Sequence, residues 1–208
     1  MTACDTAPAL VASERRDARR LLGASQGFFF VSLVLCVIID HGITARNDGI
    51  SFYGVFHRTI VILVTGFAAA AVGLWRTASY YAAHAAPLGL IMGVRAVAVG
   101  LFLLLVTPYN RGPFLNWSHM TVGTVMALGQ IGLTTALLRR HRSLGSVVAW
   151  SVQLVAGVVA ALSLPDWHFP NLLLGESFFE VGFGISLFVW ITALTYPTER
   201  RARVRAHA

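Results

Sequence analysis

Six apolar stretches, each long enough to cross a lipid bilayer, dominate this sequence of 208 residues. About 20 predominantly apolar residues span the hydrocarbon core as a helix. None of the stretches alternates as a barrel strand would, and backbone groups in lipid must be satisfied internally, so each is predicted to be a helix. The predicted spans are 22–39, 59–75, 88–107, 119–138, 144–163 and 172–194. The expected fold class is therefore all-α, a polytopic bundle of six transmembrane helices.

Charge placement predicts the orientation of this bundle. Charged residues make up only 12% of the chain, whereas soluble domains carry about 25%. The 16 basic residues are all Arg, and twelve of them lie in the two tails and in the second and fourth connections taken together. Because cytoplasmic segments carry the excess of Lys and Arg, both termini are predicted to be cytoplasmic, in the cell (inner) membrane. This topology accounts for the net charge of +7 without a nucleic-acid partner.

The chain is predicted to hold one bundle and two tails. Residues 1–21 and 196–208 are expected to be basic cytoplasmic tails, and 22–195 the membrane bundle. No small-residue cleavage site follows the first apolar run, so we expect it to be retained. Small residues four apart, such as Gly23 with Gly27 and Gly89 with Gly93, are typical of close helix contacts. Such faces also make an oligomer possible.

The last span contains two carboxylates, Glu176 and Glu180, four residues apart and therefore on one helix face. A carboxylate in lipid is costly, and intramembrane acids usually face the bundle interior and mark functional paths. Burial and a like-charged neighbour both favour the neutral form, so we expect at least one of the two, Glu180 in preference to Glu176, to be protonated at neutral pH. The alternative is a structural role, in which a buried Glu hydrogen-bonds to a neighbouring helix.

Further polar and aromatic residues are predicted to gather at the same extracytoplasmic end. Asp40, which closes the first span, is the third candidate acid. The candidate substrate-binding residues are Tyr53, Arg58, Tyr109, Trp117, His119, Asp166, His168, Phe179 and Phe183. Arg58 is a candidate counter-ion for one glutamate, and the Phe rings are suited to stabilise a cationic intermediate. Interfacial Trp, Tyr and His side chains at helix ends give a structural reading of many of the same residues.

Two short segments carry a resemblance to a known group. They are GISFYGVF, residues 49–56, and TPYNRGPFLNWSH, residues 107–119. They resemble the poorly characterised six-helix membrane proteins of actinobacteria, similar in layout to Frag/DRAM-like proteins, which implies the fold and no settled chemistry. By architecture alone, the chain is also similar to small integral-membrane terpene cyclases. That similarity implies that Glu180, Glu176 and Asp40 protonate an olefin or epoxide.

The favoured hypothesis is a small enzyme that acts on a prenyl or lipid-like substrate from the bilayer. Protonated Glu180 would be the general acid, and Glu176 or Asp40 would tune it or accept the final proton. No cofactor is expected. Nucleophilic catalysis is not predicted, because Ser25 and Ser177 do not fit the Gly-x-Ser-x-Gly elbow.

Two alternatives stay open at this point. The first is a non-enzymatic membrane carrier or accessory protein. The second is a metal-dependent lipid hydrolase, because four His residues with Asp40 or Asp166 offer nitrogen and oxygen ligands at one membrane level. These His residues are His41, His57, His119 and His168. No His-x-x-x-His or His-Glu-x-x-His spacing marks a metal site among them, so no metal ligand is assigned.

Overall fold

Helices account for nearly all of the described chain. The computed structural model describes residues 6–40, 49–84, 86–108, 111–163 and 172–193, with side chains from Ser13 onward. The helices are α1 (Thr6–Ile39), α2 (Ile60–Ala83), α3 (Leu88–Val106), α4 (Pro113–Arg140), α5 (Leu144–Leu162) and α6 (Leu172–Ala193). A short 3-10 helix spans Ile50–Gly54. These residues contain no strand, and all six α-helices are long and apolar enough to cross a membrane. The predicted all-α, six-helix membrane fold is confirmed.

Local sequence explains several helix ends. Pro113 occupies the first turn of α4, where its missing N–H costs nothing, and Gly112 before it has a φ of 119°. Ser143 caps α5, its hydroxyl accepting a hydrogen bond from the backbone N–H of Ser146 at 3.1 Å. At the N-terminus, α1 begins at Thr6 and continues through the Arg-rich segment before it becomes apolar.

Consecutive helices are neighbours, and the bundle closes where α6 packs against α1. The helices approach most closely at small residues, as lipid-embedded helices commonly do. A methyl group added to Gly66 of α2 would lie 2.8 Å from Ser32 Cβ of α1. One added to Gly182 of α6 would lie 2.8 Å from backbone atoms of α5. By contrast, a methyl group added to Gly23 or Gly27 of α1 would meet no atom of another described segment within 4 Å.

The buried residues divide the bundle into two chemically different parts. The main apolar core comes from α1, α2, α3 and α6, with Ile50 and Tyr53 of the 3-10 helix. Among the described residues of α4, Leu137 is its one fully buried member, while Val122, Met126 and Leu133 pack against it partly buried. The buried positions of α4 and α5 are largely polar or small. They are His119, Gln130, Thr134 and Leu137 on α4, and Ser146, Ala149, Gln153 and Ala156 on α5. Polar groups are therefore concentrated beside α4 and α5.

Candidate functional site

Glu176, near the start of α6, accepts a hydrogen bond from the backbone of the 3-10 helix. We call this part of the bundle the outer end, after its predicted side; it comprises residues 49–59, 107–108, 111–119 and 172–180. The backbone N–H of Ile50 donates a hydrogen bond to Glu176 Oε2 at 2.6 Å. Gly49 has a φ of 73°, and a methyl group there would collide with the Glu176 carboxylate. Only glycine adopts that conformation without strain, so Gly49 and Glu176 together position Ser51.

Glu180 hydrogen-bonds to a different element. Its Oε1 accepts a bond of 3.0 Å from Nε2 of Gln130 on α4, whose side chain is fully buried. Glu176 and Glu180 thus hold two neighbouring segments against α6, which is what the structural reading of the pair expects. Neither glutamate lines either of the two cavities described below.

Two buried amides have unused hydrogen-bonding capacity beside α6. Gln130 Oε1 and both amide atoms of Gln153 have no hydrogen-bond partner within the described parts of the chain. Gln153 is 1% exposed. Buried polar atoms are nearly always hydrogen-bonded, so we expect a water molecule or another polar group to satisfy these atoms.

Ser51, His119 and Thr107 form a continuous hydrogen-bonded arrangement at the outer end. Ser51 Oγ lies 2.7 Å from His119 Nε2, joining the 3-10 helix to α4. On the other side of the ring, His119 Nδ1 lies 2.6 Å from the backbone oxygen of Thr107, just after α3. His119 is 8% exposed, so the pair is largely shielded from solvent.

A cavity of about 420 Å³ opens beside this pair, between α2, α3 and α4. That volume falls within the range of about 300–1,000 Å³ typical of small-molecule sites. The polar groups at its outer end belong to Ser51, His119 and Arg111. Apolar side chains form the rest of its wall. They are Ile60, Leu63, Val64, Phe67, Leu104, Leu105 and Leu115, with Gly54 and Pro108 completing the lining.

A second cavity, of about 470 Å³, lies between α1 and α6. Ser177 is the one polar residue in its lining, and the remaining residues are apolar. They are Phe30, Leu33, Val34, Val37, Ile38, Leu173 and Leu174. The lining of this cavity contains no charged or titratable side chain, so the cavity suits an apolar molecule and provides no acid or base.

The other predicted polar residues are dispersed around the outer end. Tyr53 is fully buried, its hydroxyl has no partner among the described residues, and burial, with Cys36 and Asp40 nearby, raises its pKa to about 12. Asp40 is half-buried at the end of α1. Arg58 and Trp117 are exposed, and in the described chain Arg58 forms no ion pair with either glutamate. Tyr109, Asp166 and His168 lie outside the described residues.

The two predicted substrate-binding Phe residues are packing residues in this structure. Phe183 is 1% exposed and belongs to the main core, whereas Phe179 packs against Gly157 of α5. Neither lines a described cavity. The described residues also hold no group of three His, Cys, Asp or Glu side chains placed to bind a metal ion. His41, Asp166 and His168 are not among them.

Sequence reasoning missed Ser51 and Gln130. Ser51 lies in the GISFYGVF segment, yet its partner His119 is 68 residues away, so no local motif connects them. Gln130 appears as one polar residue in an apolar helix. The available signal was its burial requirement: an amide in a membrane span needs a partner on another helix.

Comparison with known protein families, with curated proteins and with solved structures gives no match for this chain. The function proposed below therefore depends on the side-chain geometry of the outer end. Of the predicted site residues, that geometry brings together His119 with the cavity, Glu176 with the Ser51 segment and Glu180 with Gln130.

Proposed function

We propose that this integral membrane protein binds a prenyl or other lipid-like molecule that enters from the bilayer. The cavity between α2, α3 and α4 is the proposed site. One observation carries the proposal: this cavity combines a long apolar wall with a polar end formed by Ser51, His119 and Arg111. An amphiphile has the matching division, since its chain is apolar and its head is polar.

The rim supports the direction of entry. Val64, on the apolar wall, is 38% exposed, and Arg111, at the polar end, is also exposed. In a membrane, a helix surface such as that of Val64 meets lipid chains. Arg111 lies in the connection between two spans, at the level of the headgroups, where its charge favours an anionic or strongly polar head.

The binding test uses two matched tryptophan variants. Val64→Trp is expected to fill the proposed cavity from its rim, and Val34→Trp places the same ring in the α1–α6 cavity. Purified proteins in nanodiscs are loaded with a fluorescent fatty-acyl or polyprenyl probe, and the retained lipid is identified by mass spectrometry. We expect Val64→Trp to reduce binding at least ~10-fold while Val34→Trp binds as the parent does. Equal binding by both variants would remove the α2–α4 cavity as the site.

An acid-initiated reaction of a prenyl substrate is the second candidate function. The observation that favours it is that Glu180 sits within a membrane span and is held in place by the Gln130 amide. In this scheme Glu180 donates the first proton and Glu176 or Asp40 receives the last. Glu180→Gln in membranes supplied with polyprenyl substrates is the test, because the amide keeps the shape and loses the acidic proton. Unchanged turnover would eliminate Glu180 as the acid.

A further inference from the structure

The Ser51–His119 pair has the geometry of an activated nucleophile. A serine hydroxyl attacks poorly unless an adjacent base removes its proton, and the two groups must be about 2.6–3.2 Å apart. Ser51 Oγ and His119 Nε2 are 2.7 Å apart. Both residues also line the same cavity, so a substrate that occupies it would lie beside the pair.

The third member of the arrangement sets the tautomer of His119. The Thr107 backbone oxygen, 2.6 Å from Nδ1, accepts hydrogen bonds and cannot donate one. We therefore assign the ring hydrogen to Nδ1, and in that tautomer the Nε2 lone pair accepts the Ser51 O–H. The backbone carbonyl of Thr107 orients the ring here, whereas a carboxylate has this role in Ser-His-Asp sites.

The residues that precede Ser51 in the chain fix the position of its backbone. Ile50, the preceding residue, is tied through its backbone N–H to Glu176, and the constrained Gly49 comes before it. His119 is one helical turn after Leu115 on the face of α4 that lines the cavity. Nucleophile and base are thus held by separate elements.

We propose that Ser51 is the nucleophile and His119 the general base of an esterase site that cleaves an ester-bonded amphiphilic lipid. This inference rests on the proposed function, because the cavity that holds the lipid must deliver its ester to Ser51. In this proposal Arg111, in the same lining, is the positively charged group that would stabilise the negative oxygen formed during attack.

The chemistry balances with water as the second substrate. Ser51 Oγ forms a bond to the ester carbonyl carbon while His119 Nε2 takes the hydroxyl proton. The bond from that carbon to the alcohol oxygen then breaks, and His119 returns the proton to the departing alcohol. Water attacks the acyl-serine with His119 again as base, releasing the carboxylic acid and restoring the Ser51 hydroxyl. The net change is ester plus water to acid plus alcohol, with no oxidation or reduction.

The experiment measures covalent labelling of the full chain in nanodiscs by a long-chain alkyl fluorophosphonate. An activated serine displaces fluoride from phosphorus and stays modified, whereas a serine that only holds two segments together does not react. We expect modification of Ser51, identified by peptide mass spectrometry. Ser51→Ala should abolish it, and His119→Gln should slow it by about 10²–10⁴-fold. Ser118→Ala is the matched control, because the Ser118 hydroxyl donates to the Phe114 carbonyl of its own helix, and this variant should label at the parent rate.

A lipid-retention assay on the same samples separates this inference from the proposed function. Lipid binding without labelling of the parent protein overturns the esterase inference and leaves the binding site standing. Absence of both binding and labelling overturns both. Labelling that persists in Ser51→Ala also overturns it, since the reactive serine is then another residue. Thermal unfolding of each variant confirms that a loss of labelling does not come from a loss of folding.

Discussion

Glu176 acts on a backbone N–H, so removing its carboxylate is expected to affect folding and Ser51 reactivity together. In Glu176→Ala the Ile50 N–H is left without its acceptor, although Ile50 is only 5% exposed. An unsatisfied buried donor costs about 1–3 kcal/mol of the free energy of unfolding. The Ser51 segment should also loosen, which lowers the fluorophosphonate labelling rate. Both effects can be measured on one preparation, by unfolding in mixed micelles and by labelling kinetics.

A surface acid provides the matched control for Glu176→Ala. Glu14 lies 3.5 Å from His84 Nε2, and its side chain is 51% exposed. Exposed ion pairs contribute little to stability, so Glu14→Ala should leave unfolding and labelling nearly unchanged. If Glu176→Ala behaves like Glu14→Ala in both assays, the Ile50–Glu176 hydrogen bond does not position Ser51.

The Gln130–Glu180 hydrogen bond calls for a double-mutant cycle. Gln130→Leu or Glu180→Leu alone strands a polar partner at a helix interface, whereas the double variant removes both groups. We expect the double variant to be more stable than the sum of the single losses predicts, with a coupling energy of about 0.6–1.7 kcal/mol, the range found between membrane helices. Unfolding in mixed micelles measures all four proteins. Strict additivity would mean that the bond contributes nothing to stability.

These residue-scale contacts set the limit of sequence-based prediction. Glu176 and Glu180 stand out in the sequence because a carboxylate in lipid is costly and calls for a partner. The partners themselves were not predictable: one is the backbone of Ile50, and the other is an amide on a non-consecutive helix. Arg58 carries the opposite charge that the sequence suggests as a partner. In the structure a backbone N–H and an amide N–H hydrogen-bond to the two glutamates instead, so no second charge is buried.

At the scale of helices, the α5–α6 pair depends on small residues at its contact. Gly182 leaves no space for a side chain, because an added methyl group would lie 2.8 Å from the Ala149 oxygen and the Gln153 nitrogen. Backbone atoms within helices cannot move aside as a flexible side chain can. We therefore expect Gly182→Val to lower the free energy of unfolding by about 1–3 kcal/mol through overpacking. Unfolding in mixed micelles is the measurement.

Gly132 of α4 is the matched helical control, since an added methyl group there meets nothing within 4 Å. Gly132→Val should be close to neutral, because valine also has the higher helix propensity of the two residues. Equal destabilisation by both substitutions would show that the loss comes from valine in a membrane helix in general. In that case the close α5–α6 approach would not be its cause.

The number of helices could be predicted from the sequence, whereas the residues at which they begin and end could be predicted only in part. The apolar runs identify six spans because lipid imposes both a length and internal hydrogen bonding. The ends differ where polar sequence continues a helix: α1 begins at Thr6 and α4 at Pro113, both before the predicted apolar spans. Hydropathy does not register such extensions, because a helix can leave the hydrocarbon core without ending.

On the scale of the whole molecule, the bundle separates a packed apolar part from a polar one. The main core lies among α1, α2, α3 and α6, while α4 and α5 bury His119, Gln130 and Gln153. The proposed lipid site lies where these parts meet at the outer end, between α2, α3 and α4. The chain of a bound lipid can therefore lie along apolar helices, while its head reaches the polar groups at the outer end of the cavity.

The orientation of the bundle remains a prediction, and it decides which leaflet reaches the cavity. Arg139 and Arg140 end α4 and Arg142 follows in the α4–α5 connection, whereas Arg111 alone lies near the opposite connection, between α3 and α4, among the described residues there. The positive-inside rule therefore predicts a cytoplasmic α4–α5 connection. Green fluorescent protein fused after His141 should fluoresce, and the same fusion after Gly112 should not. Alkaline phosphatase fusions at the two positions should give the reverse pattern. The opposite result would place Ser51, His119 and Arg111 at the cytoplasmic leaflet, so the lipid would then have to be drawn from that side.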